Sequence, residues 1–321
     1  MTSRALALVV LAGCATHAAA PATPHAPAGP LAAAALPYEV LDARTGHSIA
    51  ASISVIAPQL AHARAVCIGE DHQNPHHHWV QLEVARALVA AWHGAPVALG
   101  MEMVQRPFQG VLDDYAAGKI DAAALRSRAG WDDRWGYDYG FYGPTIDTVV
   151  SAHGALLALN ASREITKQVA HHGLDSLSPA ERAQLPELKL DDAAHRAWFD
   201  ALMEDMGGAS AHSSSADGKP PADDMPTADN VYTVQVIWDE TMADTAAKWL
   251  AAHPGGHAIL LAGNGHCHDS AIVGRLKRRG ITDAISIRPI LSTDDVADLL
   301  AKPINDYVVV LTAPPGPAPK E

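Results

Sequence analysis

Short apolar runs alternate along the chain with longer segments in which apolar residues recur every three or four positions. Six runs have the length and composition of buried strands: residues 65–68, 96–104, 155–159, 257–262, 284–290 and 307–312. Helical spacing is clearest over 53–62, 75–93 and 228–252, and residues 38–51 are typical of a β-hairpin. Strands that alternate with helices predict an α/β fold, with a largely parallel β-sheet flanked by helices.

Two stretches without a strand pattern interrupt this alternation. Residues 105–143 and 173–228, which include a predicted helix over 178–206, are expected to form a smaller helical subdomain beside the sheet. Within the second stretch, residues 207–226 are rich in Ser, Asp, Pro and Gly, which predicts a disordered insertion.

The N-terminus has the pattern of a targeting segment. Arg4 precedes an apolar run, and the sequence Leu11-Ala12-Gly13-Cys14 that follows resembles the bacterial lipobox, in which the cysteine is lipidated. An ordinary signal peptide with an incidental Cys14 is the alternative. Because Ala15 rather than Asp follows the cysteine, we expect an outer-membrane lipoprotein that faces the periplasm. The predicted organisation is a signal peptide over 1–14, an Ala/Pro-rich tether over 15–36, the α/β domain over 37–312 and a Pro-rich tail over 313–321.

Charge and cysteine content limit the partners and the covalent links. The 321 residues carry a formal net charge of -13 and a pI near 5.7, which argues against nucleic acid as a partner. Beyond Cys14 the chain has Cys67 and Cys267, which in an oxidising compartment form either one bridge or two buried thiols. We expect separate thiols, because the sequence does not indicate that the two are close in space.

Polar side chains follow four of the predicted strands. They are Glu70, Asp71 and His72, then Glu102, then Asn160 with Arg163, and finally Asn264 with His266. In an open α/β sheet the carboxyl ends of the strands form one binding edge, so these groups are expected to converge in a cleft. Glu70, His72, Glu102 and His266 combine carboxylate and imidazole, which suits a divalent transition metal or acid–base catalysis. The alternative is that they cap helices or hydrogen-bond one another.

Three consecutive histidines begin the helix predicted after the first of these strands. His76, His77 and His78 cannot bind one ion, because neighbouring helical residues point about 100 degrees apart. Either they form a solvated first turn or one of them faces a ligand at the mouth of the cleft.

An aromatic segment and a polar helix face add to the predicted cleft. Residues 131–142 contain six aromatic rings together with Arg134, which suits a large planar ligand that bears carboxylates. Tyrosinate is also an axial ligand of haem iron. The alternative use of these rings is an aromatic core. Gln235 and Asp239 share a helix face with Met242, and that face is either a cleft wall or solvated.

The ordered set of motifs resembles the ChaN family of haem-binding lipoproteins, within the wider Tiki-like and erythromycin-esterase-like superfamily. The motifs are Gly69-Glu70-Asp71-His72, residues 98–103, 135–144, 158–165 and 235–242, and Gly263-Asn264-Gly265-His266. The resemblance implies non-covalent haem between an α/β part and a helical part, homodimers with haems face to face, and a role in haem or iron acquisition. An outer-membrane haem receptor is an expected partner.

Two functions are therefore expected as alternatives. The first is a lipid-anchored protein that binds haem through Tyr137, Tyr139, Tyr142, Arg134, His76, His77, Asn160, Arg163, Gln235 and Asp239. The three tyrosines and the histidines at 76–78 are the candidate axial ligands. The second is a Tiki-like hydrolase in which Glu70, His72, Glu102 and His266 activate water, with or without a metal.

Overall fold

The computed structural model describes residues 30–210 and 226–313 of the chain. The predicted signal peptide with Cys14, residues 15–29 of the tether, residues 211–225 of the insertion and residues 314–321 of the tail lie outside the described residues. No helix within the described part is long and apolar enough to cross a membrane.

Eight strands and twelve α-helices alternate through the described part of the chain. The strands are β1 (Tyr38–Asp42), β2 (Ser48–Ala50), β3 (Ala65–Ile68), β4 (Val97–Gln105), β5 (Ala155–Asn160), β6 (His257–Leu261), β7 (Ala284–Leu291) and β8 (Tyr307–Leu311). The helices are α1 (Ile53–Leu60), α2 (Pro75–Ala91), α3 (Gln109–Ala116), α4 (Ala122–Ala129), α5 (Trp131–Arg134), α6 (Gly143–Ser151), α7 (Arg163–His172), α8 (Pro179–Arg182), α9 (Ala193–Ser210), α10 (Ala228–Ala252), α11 (Ile272–Arg278) and α12 (Val296–Ala301). Four short 3-10 helices, Pro30–Ala33, Arg106–Phe108, Tyr139–Phe141 and Leu174–Ser176, join them.

All eight strands form one sheet in the order β2-β1-β8-β7-β3-β6-β4-β5. The pairs from β8 to β5 are parallel, while β1 runs antiparallel to both β2 and β8. The predicted α/β class with a largely parallel sheet is confirmed. Since β3, β6 and β4 are adjacent and parallel, their carboxyl ends lie side by side, and this places the loops after them at one edge.

The core consists of two layers, one on each face of the sheet. Leu99 and Met101 of β4 pack with α1, α2 and α6, whereas Ala98 packs on the opposite face with α10 and α11. Every residue of β4 is buried, as expected for a strand covered on both faces. Helices α3 to α5 belong to the first layer, and α9 packs against α10 on the other side through Phe199 and Tyr232. The expected helical subdomain is therefore divided between the two faces.

Helix boundaries follow local sequence. Asn74 caps α2 by accepting a hydrogen bond from the His76 amide at 3.0 Å, and Pro75 occupies the first helical position. The helix predicted over 178–206 is wrong in its middle, because α8 ends at Arg182 and α9 begins at Ala193. Pro186 lies in this gap, and proline removes the amide hydrogen that a helix interior needs.

Cys67 and Cys267 form a disulfide, so the expectation of separate thiols is wrong. Cys67 lies on β3 and Cys267 follows β6, and these two strands pair in parallel. Strand pairing therefore brings two cysteines that are 200 residues apart in sequence to a Cα–Cα distance of 5.4 Å. The bridge fixes the two site-bearing loops to each other.

Candidate functional site

A cleft of about 720 Å³ opens at the carboxyl ends of β3 and β6. Its walls are the loops after these two strands, Trp198 and Leu202 of α9, and Arg288 of β7. The volume falls within the range of about 300–1,000 Å³ that is common for small-molecule sites.

Glu70 is the buried centre of one wall. Its carboxylate accepts hydrogen bonds from the Tyr142 hydroxyl and from Gln81 Nε2, each at 2.7 Å, and pairs with His72 Nδ1 at 2.7 Å. Burial by itself raises the pKa of Glu70, but the His72 hydrogen bond and the charges of His78 and His72 outweigh it and lower that pKa below its usual range. Glu70 is therefore held as a carboxylate.

His72, the hydrogen-bond partner of Glu70, also lines the cleft. Burial acts to lower the pKa of His72, but the hydrogen bond with Glu70 and the charges of Glu102 and Glu70 raise it overall. The ring fits closely against Gly263, where an added Cβ would lie 3.0 Å from His72 Cε1. The ring centroid lies 5.0 Å from that of Tyr137 and 4.7 Å from that of Trp135.

His266 forms a second pair of imidazole and carboxylate on the opposite wall. Its Nδ1 lies 2.7 Å from Asp239 Oδ1 and its Nε2 lies 3.4 Å from Glu102 Oε1. Burial opposes the charged form, but Glu102 and Asp239 together raise the pKa of His266 to about 9. Gln235 Nε2 lies 3.1 Å from His266 Nδ1, so the face of α10 that carries Gln235 and Asp239 supports the site and is not solvated.

The structure brings Glu70, His72, Glu102 and His266 together, as the strand ends predict. However, no three His, Cys, Asp or Glu side chains among residues 30–210 and 226–313 are arranged to hold a metal ion. The two Nδ1 atoms are paired with carboxylates and Glu102 accepts the Gly263 amide at 2.7 Å. The divalent metal predicted for these four residues gains no support from this geometry.

The three candidate tyrosines differ in accessibility. Tyr142 is fully buried and its hydroxyl is bound to Glu70, which makes it part of the wall's interior. Tyr139 has a buried hydroxyl, and its ring packs edge-on against Trp131 at a centroid distance of 5.1 Å. Tyr137 is only half-buried and contacts the His72 ring that lines the cleft. Only Tyr137 combines exposure with contact to the cleft.

Asn160, Arg134 and Arg163 line a separate depression of about 310 Å³ on the other side of Glu102. Arg134 donates to Gln105 at 2.8 Å and to Glu164 at 3.0 Å. The guanidinium of Arg163 donates to the Asp133 carbonyl at 3.0 Å, and Asn160 donates to the Glu102 carbonyl at 3.0 Å. These three side chains are bound within the protein, so the role expected for Arg134 with ligand carboxylates is not supported.

The three histidines of α2 do not form a solvated turn. His77 and His78 are buried, and the His78 Nε2 lies 3.1 Å from the His72 carbonyl. His76 Nδ1 lies 2.7 Å from the Ala34 carbonyl. None of the three lines the cleft, although His77 lines an adjoining pocket of about 420 Å³.

Sequence analysis did not identify Gln81, Trp198 or Arg288 as site residues. Gln81 interrupts an apolar stretch of α2, and Arg288 interrupts the apolar strand β7, so each carried a usable signal as a polar residue among buried neighbours. Trp198 has no such signal in the sequence, because its position at the cleft depends on how α9 packs on α10.

Comparison with known proteins is consistent with this architecture. ChaN of Campylobacter jejuni, whose solved structure concerns cofacial haem binding, superposes with a TM-score of 0.63 at 18% identity and covers 86% of this chain and 98% of its own. An erythromycin esterase mutant in its open conformation gives a TM-score of 0.44 at 14% identity, over 87% of this chain and 83% of its own. None of the curated proteins matches the chain. The model of the family described as "Haem-binding uptake, Tiki superfamily, ChaN" matches residues 56–276, more than half of the chain, and the protein therefore belongs to this family.

Proposed function

We propose that this protein binds haem non-covalently in the cleft at the carboxyl edge of the sheet. The observation that carries the proposal is the contact of the half-buried Tyr137 ring with the imidazole of His72, which lines a cleft of about 720 Å³. Trp198 and Leu202 line the same cleft and offer it apolar surface, which suits a porphyrin plane. The family of the chain supports this ligand.

Tyr137 is the proposed axial ligand of the iron. Tyr139 and Tyr142 have buried hydroxyls, and reaching them would require the loss of packing or of the bond to Glu70. The hydrogen bond with Glu70 and the charge of Glu102 raise the pKa of His72, whose ring centroid lies 5.0 Å from that of Tyr137. Tyrosine is a known axial ligand of haem iron.

The wider setting of this function rests on sequence and family resemblance. We propose that Cys14 anchors the chain to the outer membrane facing the periplasm, that the protein forms haem-bridged homodimers, and that it serves haem or iron acquisition with an outer-membrane haem receptor as partner. The lipobox-like motif over 11–14 supports the anchor, and the family supports the role in uptake.

A haem titration followed at the Soret band tests the proposal. The wild-type protein is expected to give a saturable shift, and Tyr137→Phe to weaken binding by about tenfold or more, since an iron–oxygen bond is lost. Tyr307→Phe is the matched control, because Tyr307 is a half-exposed tyrosine on β8 away from the cleft. Equal affinity in all three proteins would contradict Tyr137 as ligand, and no saturable shift in the wild type would contradict haem binding.

A hydrolase is the second candidate. The geometry that favours it is the Asp239–His266 pair, in which the second ring nitrogen of His266 lies 3.4 Å from Glu102 Oε1, an arrangement that can transfer protons. This alternative does not require haem, so the titration separates the two functions.

A further inference from the structure

Arg288 lies between two adjoining spaces at the edge of the sheet. It lines both the cleft of about 720 Å³ and the pocket of about 420 Å³ next to it, and Asp71 and Asn264 line both as well. β7 pairs in parallel with β3 so that Ile287 lies opposite Ile68. Arg288 therefore emerges beside the loop that carries Glu70 and His72.

The Nε atom of Arg288 has no hydrogen-bond partner among the described residues. This atom is buried, and no ion pair within 4.0 Å joins the guanidinium to a carboxylate of the described residues, although the charges of Asp71 and Asp294 act on it. Arg275, which is 1% exposed, differs from Arg288 in its ion pairing, because Arg275 Nε lies 3.2 Å from Glu240 Oε1 although it too has no hydrogen-bond partner. A buried donor without an acceptor costs free energy that a bound acceptor would recover.

His77 presents a second donor to the same pocket. Its Nδ1 accepts a hydrogen bond from the Asp71 amide at 3.0 Å, so in the neutral ring the proton resides on Nε2. Burial lowers the pKa of His77 to about 4, which keeps the ring neutral above that pH. This Nε2 is buried and has no acceptor within the described residues. Two residues that line this pocket thus each carry a buried N–H group without an acceptor among the described residues.

We propose that Arg288 and His77 form an anion subsite that binds a carboxylate group of the ligand held in the cleft. The inference rests on the proposed function, under which this group is a haem propionate. Asp71, Asp294 and Asp295 line the same pocket and disfavour a doubly charged phosphate, whereas one carboxylate matches the fork of an arginine. Arg288 thereby contacts the ligand carboxylate, a role that was expected of Arg134.

The test compares haem with haem dimethyl ester, in which both propionates are esterified. Wild-type protein is expected to bind haem about 10- to 100-fold more tightly than the ester, the range of a charge-assisted hydrogen bond. Arg288→Met is expected to lose this difference by weakening haem binding while ester affinity stays unchanged. Arg86→Met is the matched control, because Arg86 is paired with Glu83 at 2.9 Å on the outer surface of α2.

The ester affinity also reports whether each variant is folded. Arg288→Lys, which keeps the charge but loses the fork, is expected to retain part of the preference for haem. An unchanged preference in Arg288→Met, or its loss in Arg134→Met instead, would overturn the assignment while leaving haem binding intact. Saturable binding of neither ligand by the wild-type protein would overturn the proposed function and this subsite together.

Discussion

The disulfide between Cys67 and Cys267 should contribute strongly to stability, because it closes a very long loop. The two cysteines are 200 residues apart, and the chain-entropy estimate for a loop of this length is about 5 kcal/mol, with losses of about 2–5 kcal/mol typical when native disulfides are removed. The bond can be removed by reducing the wild-type protein, because reduction converts the two cysteines to thiols and changes no other side chain. We expect the free energy of unfolding to fall by about 2–5 kcal/mol.

Urea unfolding followed by circular dichroism measures this change. Oxidised and reduced wild-type protein are compared with the double variant Cys67→Ala/Cys267→Ala, which should unfold at the same urea concentration with and without reductant. Equal midpoints for the oxidised and reduced wild type would show that the bridge does not stabilise the fold. So would the titration of both thiols in the unreduced, denatured protein, since it would show that the bridge does not form.

Two further predictions concern the buried charges of the site. The pKa of His266 is raised from 6.5 in the unfolded chain to about 9, so its contribution is complete below pH 6.5 and is lost as the pH rises to 9. We expect the free energy of unfolding to fall by on the order of 3 kcal/mol across this window. The His266→Gln variant should lack this pH dependence in urea unfolding. Parallel pH profiles for the wild type and the variant would contradict the prediction. Tyr142→Phe removes the 2.7 Å hydrogen bond to buried Glu70 and should cost about 1–3 kcal/mol in thermal or urea unfolding, whereas an unchanged stability would show that this bond contributes nothing.

Most of the fold was predictable because its signals are local. Strand β3, for example, was predicted with its observed bounds because four consecutive apolar residues precede a polar loop. Helix α10 was predicted with its observed bounds, Ala228–Ala252, from its continuous helical spacing. Helix α12 was missed because it has only six residues, none of them buried, so hydrophobic spacing is weak there.

The site was predictable only in part. Glu70, His72, Glu102 and His266 follow strands, and the rule that parallel strands end at one edge is enough to bring them together. The Cys67–Cys267 bridge depends instead on β3 lying next to β6, an order that sequence spacing does not specify. The expected metal stays without support, because no three His, Cys, Asp or Glu side chains of the described residues are arranged to hold an ion.

The most direct test of the account is a crystal structure of the protein grown with haem. We expect one porphyrin in the cleft, with its iron bound to the Tyr137 oxygen and a propionate in contact with Arg288. A porphyrin held elsewhere on the chain, or in the cleft with its iron bound to a different side chain, would contradict it.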